Sequence, residues 1–269
     1  MRAVPVVSAP AEPAGTAPDS LVRVERTGAV GRLTLNRAAK YNVLSRAMID
    51  ALAGALESLA EDRDVRVVVL AADGRAFSAG HDLNEMGPAA DIDELRGLFR
   101  ACSEFMLQIR RMPQPVIARV QGVAAAAGCQ LVAMCDLAVA STEARFAVSG
   151  INLGLFCSTP SVALSRNLLQ KPALEMLLTG EFIDAARARE LGLVNRVVPA
   201  DALDAEVDKL AALIATKSPA AIAAGKQLFY RQRELSIEAA YAAAGEVMAC
   251  NAVEQDARLG IASFTKRGR

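Results

Sequence analysis

The sequence predicts an α/β core followed by a helical appendage, and three observations carry that expectation. The runs Val65–Leu70 and Val116–Val120, apolar apart from Arg66 and Arg119, are too apolar for half-exposed strands and read as strands buried on both faces. Each leads into a turn of small residues, Phe77–Leu83 after the first and Gln121–Gly128 after the second, and then into a helical stretch. From Thr159 onward helix-period segments dominate, so strands come in front and helices behind.

Residues 1–20 are rich in Ala and Pro with a single Arg and no apolar stretch, which reads as a flexible leader and not as a signal peptide. Residues 21–200 form the expected core, and residues 201–269 form a helical region. Leu21–Arg26 and Val30–Leu35 alternate around Thr27-Gly28, the pattern of a hairpin. Asn36–Lys40 is a loop. Ser45 is placed to cap a helix that runs through Ala60, with Met48, Leu52, Leu56 and Leu59 on one stripe. A charged helix spans about Asp91 to Arg111 and ends at Pro113 and Pro115. Cys129–Cys135 reads as helical and Leu137–Ala140 as a strand. Helices follow over Thr159–Gln170, Pro172–Leu178, Ala185–Leu191, Ala202–Thr216, Pro219–Arg233 and Ile237 to about Ala249, and only Leu193–Val198 among them is strand-like. The last of these helices are Ala-rich and carry apolar stripes, so they should pack on the core or on another subunit.

Lys plus Arg equals Asp plus Glu at 30 each, for a net charge of +0, and nothing there points to nucleic acid or to an acidic membrane surface. No apolar run approaches the ~20 residues that span a bilayer. The five cysteines (Cys102, Cys129, Cys135, Cys157, Cys250) form no C-x-x-C pair and read as reduced thiols of a cytoplasmic protein. With His81 as the single histidine, no metal site is expected.

Several motifs then occur in one order. They are N-R-x-x-x-x-N-x-L (Asn36–Leu44), F-S-A-G-H-D-L (Phe77–Leu83), Q-G-x-A-x-A-A-G-C-Q (Gln121–Gln130), M-C-D (Met134–Asp136) and the long stretch Glu175–Pro199. Over residues 20 to 265 the chain resembles the crotonase, or enoyl-CoA hydratase/isomerase, superfamily. That resemblance implies a spiral of ββα repeats with C-terminal helices that build a homotrimer, often a dimer of trimers. It implies an acyl-CoA thioester as substrate and no separate cofactor, because CoA is part of the substrate. The thioester oxygen would be held by the backbone N–H groups of His81 and Ala127, one from each small-residue turn. Ala79 matches the position whose backbone meets the adenine, and Gly80, Asp82 and Leu83 share that substrate-binding turn. Lys40 and Tyr41 fall in the loop that touches the nucleotide end, and Lys226 matches a basic position that approaches a phosphate.

The chemistry explains why backbone donors suffice. Reaction next to a thioester carbonyl places negative charge on its oxygen, and two preorganised N–H groups stabilise it. Ala127 stands where the family has Gly, which is tolerable if its φ is negative. The acid/base pair departs from the family. The two hydratase glutamates match Gln130 and Gly150, neither of which takes a proton near neutral pH. General acid–base catalysis is worth typically ~10²–10⁴-fold, so ordinary hydration should be badly impaired. Two readings follow: an enoyl-CoA hydratase- or isomerase-type enzyme (lyase or isomerase) with unconventional proton transfer, or a non-catalytic acyl-CoA-binding protein.

Each candidate substitute has two readings. The His81 imidazole reaches the acyl group or a phosphate, or only its N–H matters. Cys157 is a nucleophile beside a histidine, or an inert thiol in a repacked pocket wall. Asp82 and Glu85 serve the chemistry, or serve a helix N-terminus electrostatically. Asp136 reads as a carboxylate that holds a turn, and Asn152 orients a water or makes a loop hydrogen bond.

Overall fold

The structure, a computed structural model, describes residues 20–267. The expected leader lies outside the described residues except for Ser20. The chain opens with the antiparallel hairpin of β1 (Val22–Thr27) and β2 (Val30–Leu35), in which Thr27 pairs with Val30 across Gly28-Ala29. Ser45 caps α1 (Arg46–Glu61), its hydroxyl accepting the Met48 N–H at 3.2 Å, and Met48, Ile49, Leu52, Leu56 and Leu59 make the buried stripe.

A unit of two strands and a helix then repeats. β3 (Val67–Ala72), β4 (Ala76–Ser78) and α2 (Ile92–Arg111) are followed by β5 (Val116–Val120), β6 (Val123–Ala125) and α3 (Ala127–Met134). β7 (Leu137–Ser141), β8 (Arg145–Ala147) and α4 (Ser158–Asn167) make the next turn of the spiral. After them come α5 (Gln170–Thr179), β9 (Ile183–Asp184), α6 (Ala185–Glu190), β10 (Arg196–Val198) and α7 (Leu203–Ala215). α8 (Pro219–Gln232), α9 (Ile237–Val253) and α10 (Gln255–Arg267) end the described chain. The first strand of each unit enters a six-stranded sheet of order β1-β2-β3-β5-β7-β10, and the second enters a four-stranded sheet of order β4-β6-β8-β9. Apart from the β1–β2 and β8–β9 pairs, both sheets are parallel.

The second sheet corrects the sequence reading. Its strands are two or three residues long, and the small-residue turn after each buried strand contains one of them. α10 is likewise additional to the helices read from the sequence.

β3 shows why the long apolar runs were needed. All six of its residues are buried, and period-2 alternation divides them. Val68, Leu70 and Ala72 join the main core, while Val67 and Val69, with Ile117 and Val139, face Leu203, Val207, Leu210 and Ala211 of α7. α7 thus covers the far side of the larger sheet. No helix among the described residues is long and apolar enough to cross a membrane.

Candidate active site

A buried asparagine builds the first turn. Asn42, fully buried at φ 51, donates its amide to the carbonyls of Asp73 (2.8 Å) and Ala76 (2.9 Å) and accepts the Arg37 N–H at 2.8 Å. Asn is among the few side chains that tolerate positive φ, and here it also brings the start of β4 against its own loop. The Asn42 carbonyl accepts the Ser78 hydroxyl at 2.8 Å, and the same hydroxyl accepts the Gly80 N–H at 3.2 Å. The Leu44 N–H donates to the Gly80 carbonyl at 2.7 Å. Both peptide groups of Gly80 are therefore tied down, while the next N–H, that of His81, has no acceptor among the described residues.

The second turn runs from β6 into α3. Ala127 opens the helix, so its N–H is one of the donors that the helix cannot satisfy, and it carries the positive end of the helix dipole. Its φ is not positive, which is how a methyl group is accommodated there. The strain sits one residue earlier. Ala126 has φ 49 and ψ −118, a conformation suited to glycine. Ala126→Gly should therefore raise unfolding stability by about 1 kcal/mol, the ~1–3 kcal/mol of relieved strain less ~0.5–1 kcal/mol of added chain entropy. Urea titration measures this, and a loss of stability would mean that the Ala126 methyl group matters more as packing.

The turns touch each other. A Cβ on Gly80, itself at φ 96, would lie 2.9 Å from the Ala126 Cβ and 3.2 Å from the Ala127 nitrogen. Only glycine lets the first turn come this close to the second, and the parallel β4–β6 pairing (Ala76 with Val123, Ser78 with Ala124) sets their level. His81 and Ala127 both line one cavity of about 590 Å³. Its surface is mostly apolar, with Met86, Phe99, Leu153, Leu155 and Phe156 among the lining residues, and Ala79, Asp82, Leu83 and Gly150 also line it.

The His81 ring is held by its neighbours. Its Nδ1 lies 3.3 Å from the Leu44 carbonyl, its ring meets Phe99 edge-on at 5.5 Å, and its Nε2 is enclosed without a partner. Burial lowers its pKa, so the ring is neutral, and the Leu44 carbonyl places the proton on Nδ1. Cys157 precedes α4 without a side-chain capping bond, and burial pushes its thiol up, away from the thiolate form. Its sulfur sits close to residue 150. A Cβ on Gly150 would lie 2.8 Å from the Cys157 Sγ and 2.6 Å from the Leu155 carbonyl oxygen. The space of a side chain at 150 is already filled.

Other sequence candidates lie apart from this cavity. Gln130 is 4% exposed on α3, and its Oε1 has no hydrogen-bond partner among the described residues. Lys40 is exposed in the short 3₁₀ turn Ala38–Lys40. Tyr41 holds the first turn through its backbone, its carbonyl accepting the Ala79 N–H at 3.0 Å, and its ring lies under the Arg75 guanidinium. Lys226 does not line this cavity. Its ammonium donates to the carbonyls of Ile109 (2.8 Å) and Gln114 (2.9 Å) and pairs with Asp136 at 2.7 Å, with a side chain 6% exposed. Asp136 does hold a turn, accepting the Val116 N–H at 2.7 Å, and it also accepts the Tyr230 hydroxyl at 2.8 Å. Sequence reasoning gave Asn42 and Ser78 no role. The signal was the Asn inside the first motif, next to a turn. Among the described residues no cluster of His, Cys, Asp and Glu is placed to hold a metal ion.

Comparison with known proteins agrees with this fold. Residues 25–269 match the enoyl-CoA hydratase/isomerase family model. The chain is 42% identical over 262 residues to the mitochondrial enoyl-CoA hydratase domain-containing protein 3 of Rattus norvegicus, covering 96% of this chain and 87% of that one. The crystal structure of an enoyl-CoA hydratase from Mycobacterium smegmatis superposes with a TM-score of 0.91 at 56% identity, covering 93% of this chain and 97% of that one. Human enoyl-CoA hydratase domain-containing protein 3 gives a TM-score of 0.90 at 40% identity, over 92% and 98% of the two chains. With its ββα spiral and its two facing turns, the chain belongs to the enoyl-CoA hydratase/isomerase family of the crotonase superfamily.

Proposed function

We propose that the protein binds an acyl-CoA thioester in the 590 Å³ cavity, the thioester oxygen lying between the His81 and Ala127 N–H groups. The observation that carries this reading is the contact of the two turns, whose His81 and Ala127 N–H groups have no acceptors among the described residues and whose residues line one apolar cavity. An oxygen that gains negative charge there meets fixed dipoles in a water-poor setting. The protein then acts as an enoyl-CoA hydratase/isomerase-like enzyme whose proton transfer does not use the usual pair of glutamates. A non-catalytic acyl-CoA-binding protein is the second reading, favoured by the Cys157 thiol and Leu155 carbonyl that crowd Gly150. CoA enters as part of the substrate, and no other cofactor is needed.

A homotrimer, or a dimer of trimers, fits the surface. α9 and α10 leave Ile237, Tyr241, Met248 and Phe264 exposed, while Val162, Leu169 and Leu178 are exposed on α4 and around α5. Two different apolar patches on one chain suit a closed ring of heterologous contacts better than an isologous pair.

Thioester affinity tests the site. His81→Pro removes the proposed donor and should weaken hexanoyl-CoA binding about tenfold, the worth of one hydrogen bond at the upper end of its usual range. His81→Ala keeps the donor and should weaken binding less. Equal effects in a calorimetric titration would show that the ring, and not the N–H, holds the ligand.

A further inference from the structure

Deprotonation beside the thioester needs a group that takes the proton, and the cavity wall narrows the choice. Gln130 is neutral and does not line the cavity, and Gly150 has no side chain. The His81 ring has its Nδ1 toward Leu44 and its Nε2 enclosed. Burial keeps the Cys157 thiol protonated. Ser149, Ser158 and Thr159 carry hydroxyls, which are poor bases. Among the described residues one carboxylate lines the cavity, that of Asp82, the residue next to the first donor in the chain.

We infer that Asp82 is the proton-transfer group of this site, an assignment that rests on the thioester reading above. Its two oxygens differ. Oδ1 accepts the Asn84 backbone N–H at 3.0 Å and the Asn84 amide at 2.8 Å, which caps the short 3₁₀ turn Leu83–Met86. Oδ2 has no hydrogen-bond or ion-pair partner among the described residues. One oxygen fixes the carboxylate and the other is left for the ligand. In the step, the C2–H bond of the acyl group breaks and Asp82 Oδ2 takes the proton. The bond's electron pair forms a C1–C2 double bond, and the thioester oxygen becomes the enolate oxygen between the His81 and Ala127 N–H groups. Return of the proton to C2 exchanges it with solvent. Return to C4 of a 3-enoyl chain moves the double bond into conjugation. Either outcome needs one carboxylate, whereas hydration also needs a held water and a second proton-transfer group.

The test uses trans-3-hexenoyl-CoA in D₂O followed by proton NMR, with hexanoyl-CoA affinity measured in parallel. Asp82→Asn keeps the cap, since Asn caps as well as Asp. The wild type should wash deuterium into C2 or shift the double bond, and Asp82→Asn should slow this about 100-fold or more while hexanoyl-CoA affinity changes far less. A wild-type rate in Asp82→Asn would overturn the assignment. So would a wild type that binds hexanoyl-CoA and neither exchanges nor isomerises, a result that leaves the binding reading intact. If hexanoyl-CoA does not bind at all, the thioester reading itself fails, and this assignment with it.

Discussion

Lys226→Met is expected to lower unfolding stability by about 3–5 kcal/mol, the usual cost of removing one partner from a buried ion pair. The ammonium satisfies three acceptors at once, Asp136 and the carbonyls of Ile109 and Gln114, and little solvent reaches it. Burial alone lowers its pKa, and Asp136 opposes that shift. Without the cation, Asp136 keeps the Val116 N–H and the Tyr230 hydroxyl but loses its counter-charge, and two buried carbonyls lose their donor. α8 thereby loses its ionic tie to the end of α2 and the start of β5, and keeps the Gln227 amide on the Arg111 carbonyl and the Tyr230 hydroxyl on Asp136. Guanidinium or urea titration measures the loss, and Lys226→Met with Asp136→Asn should recover part of it. A small loss of stability together with a large loss of thioester affinity would instead restore Lys226 as a ligand contact.

Reinstalling both family carboxylates, Gln130→Glu with Gly150→Glu, should fail to create a hydratase. The obstacle is steric before it is chemical. Any Cβ at 150 meets a backbone carbonyl, that of Leu155, at 2.6 Å, and the Leu155 N–H is bonded back to the Gly150 carbonyl at 3.0 Å. The loop is closed on itself and has little freedom to yield. Overpacking of this kind costs typically about 1–3 kcal/mol, so the double variant should be less stable and should leave the enoyl absorbance of crotonyl-CoA unchanged. Turnover of ~1 s⁻¹ or faster would show that the Leu155–Cys157 loop moves aside and that the missing carboxylates alone had silenced hydration.

The large sheet was legible because its strands are long enough to show a pattern. Val67–Ala72 and Val116–Val120 are runs of β-branched and apolar residues, and Ser45 announces α1 through capping chemistry. The small sheet was not legible. Ala76–Ser78, Val123–Ala125 and Arg145–Ala147 are too short to display a period, and they are rich in alanine, which has no preference for strands. Their pairing is a tertiary fact. The donor turns were readable as small-residue segments after buried strands, but Asn42 and Ser78, which aim the first of them, work through contacts that no local spacing encodes. Lys226 shows the same limit of a local reading. A lysine on an amphipathic helix looks the same in sequence whether it reaches solvent, a ligand or, as here, Asp136.

The pairing of Ser78 with Ala124 has a consequence for how this scaffold tolerates change. The small sheet works as a ruler between two stretches far apart in the chain. β4 already carries one extra residue against β6 between Ala76 and Ser78, and a further one-residue insertion in either short strand would slide one donor past the other by about 3.3 Å, the rise of a strand residue. Length variation should be harmless in the Gly87–Ala90 stretch before α2, where no strand keeps count. Between Ala76 and His81, or between Val123 and Ala127, a single extra residue should leave a folded protein with the distance between its two donors lost.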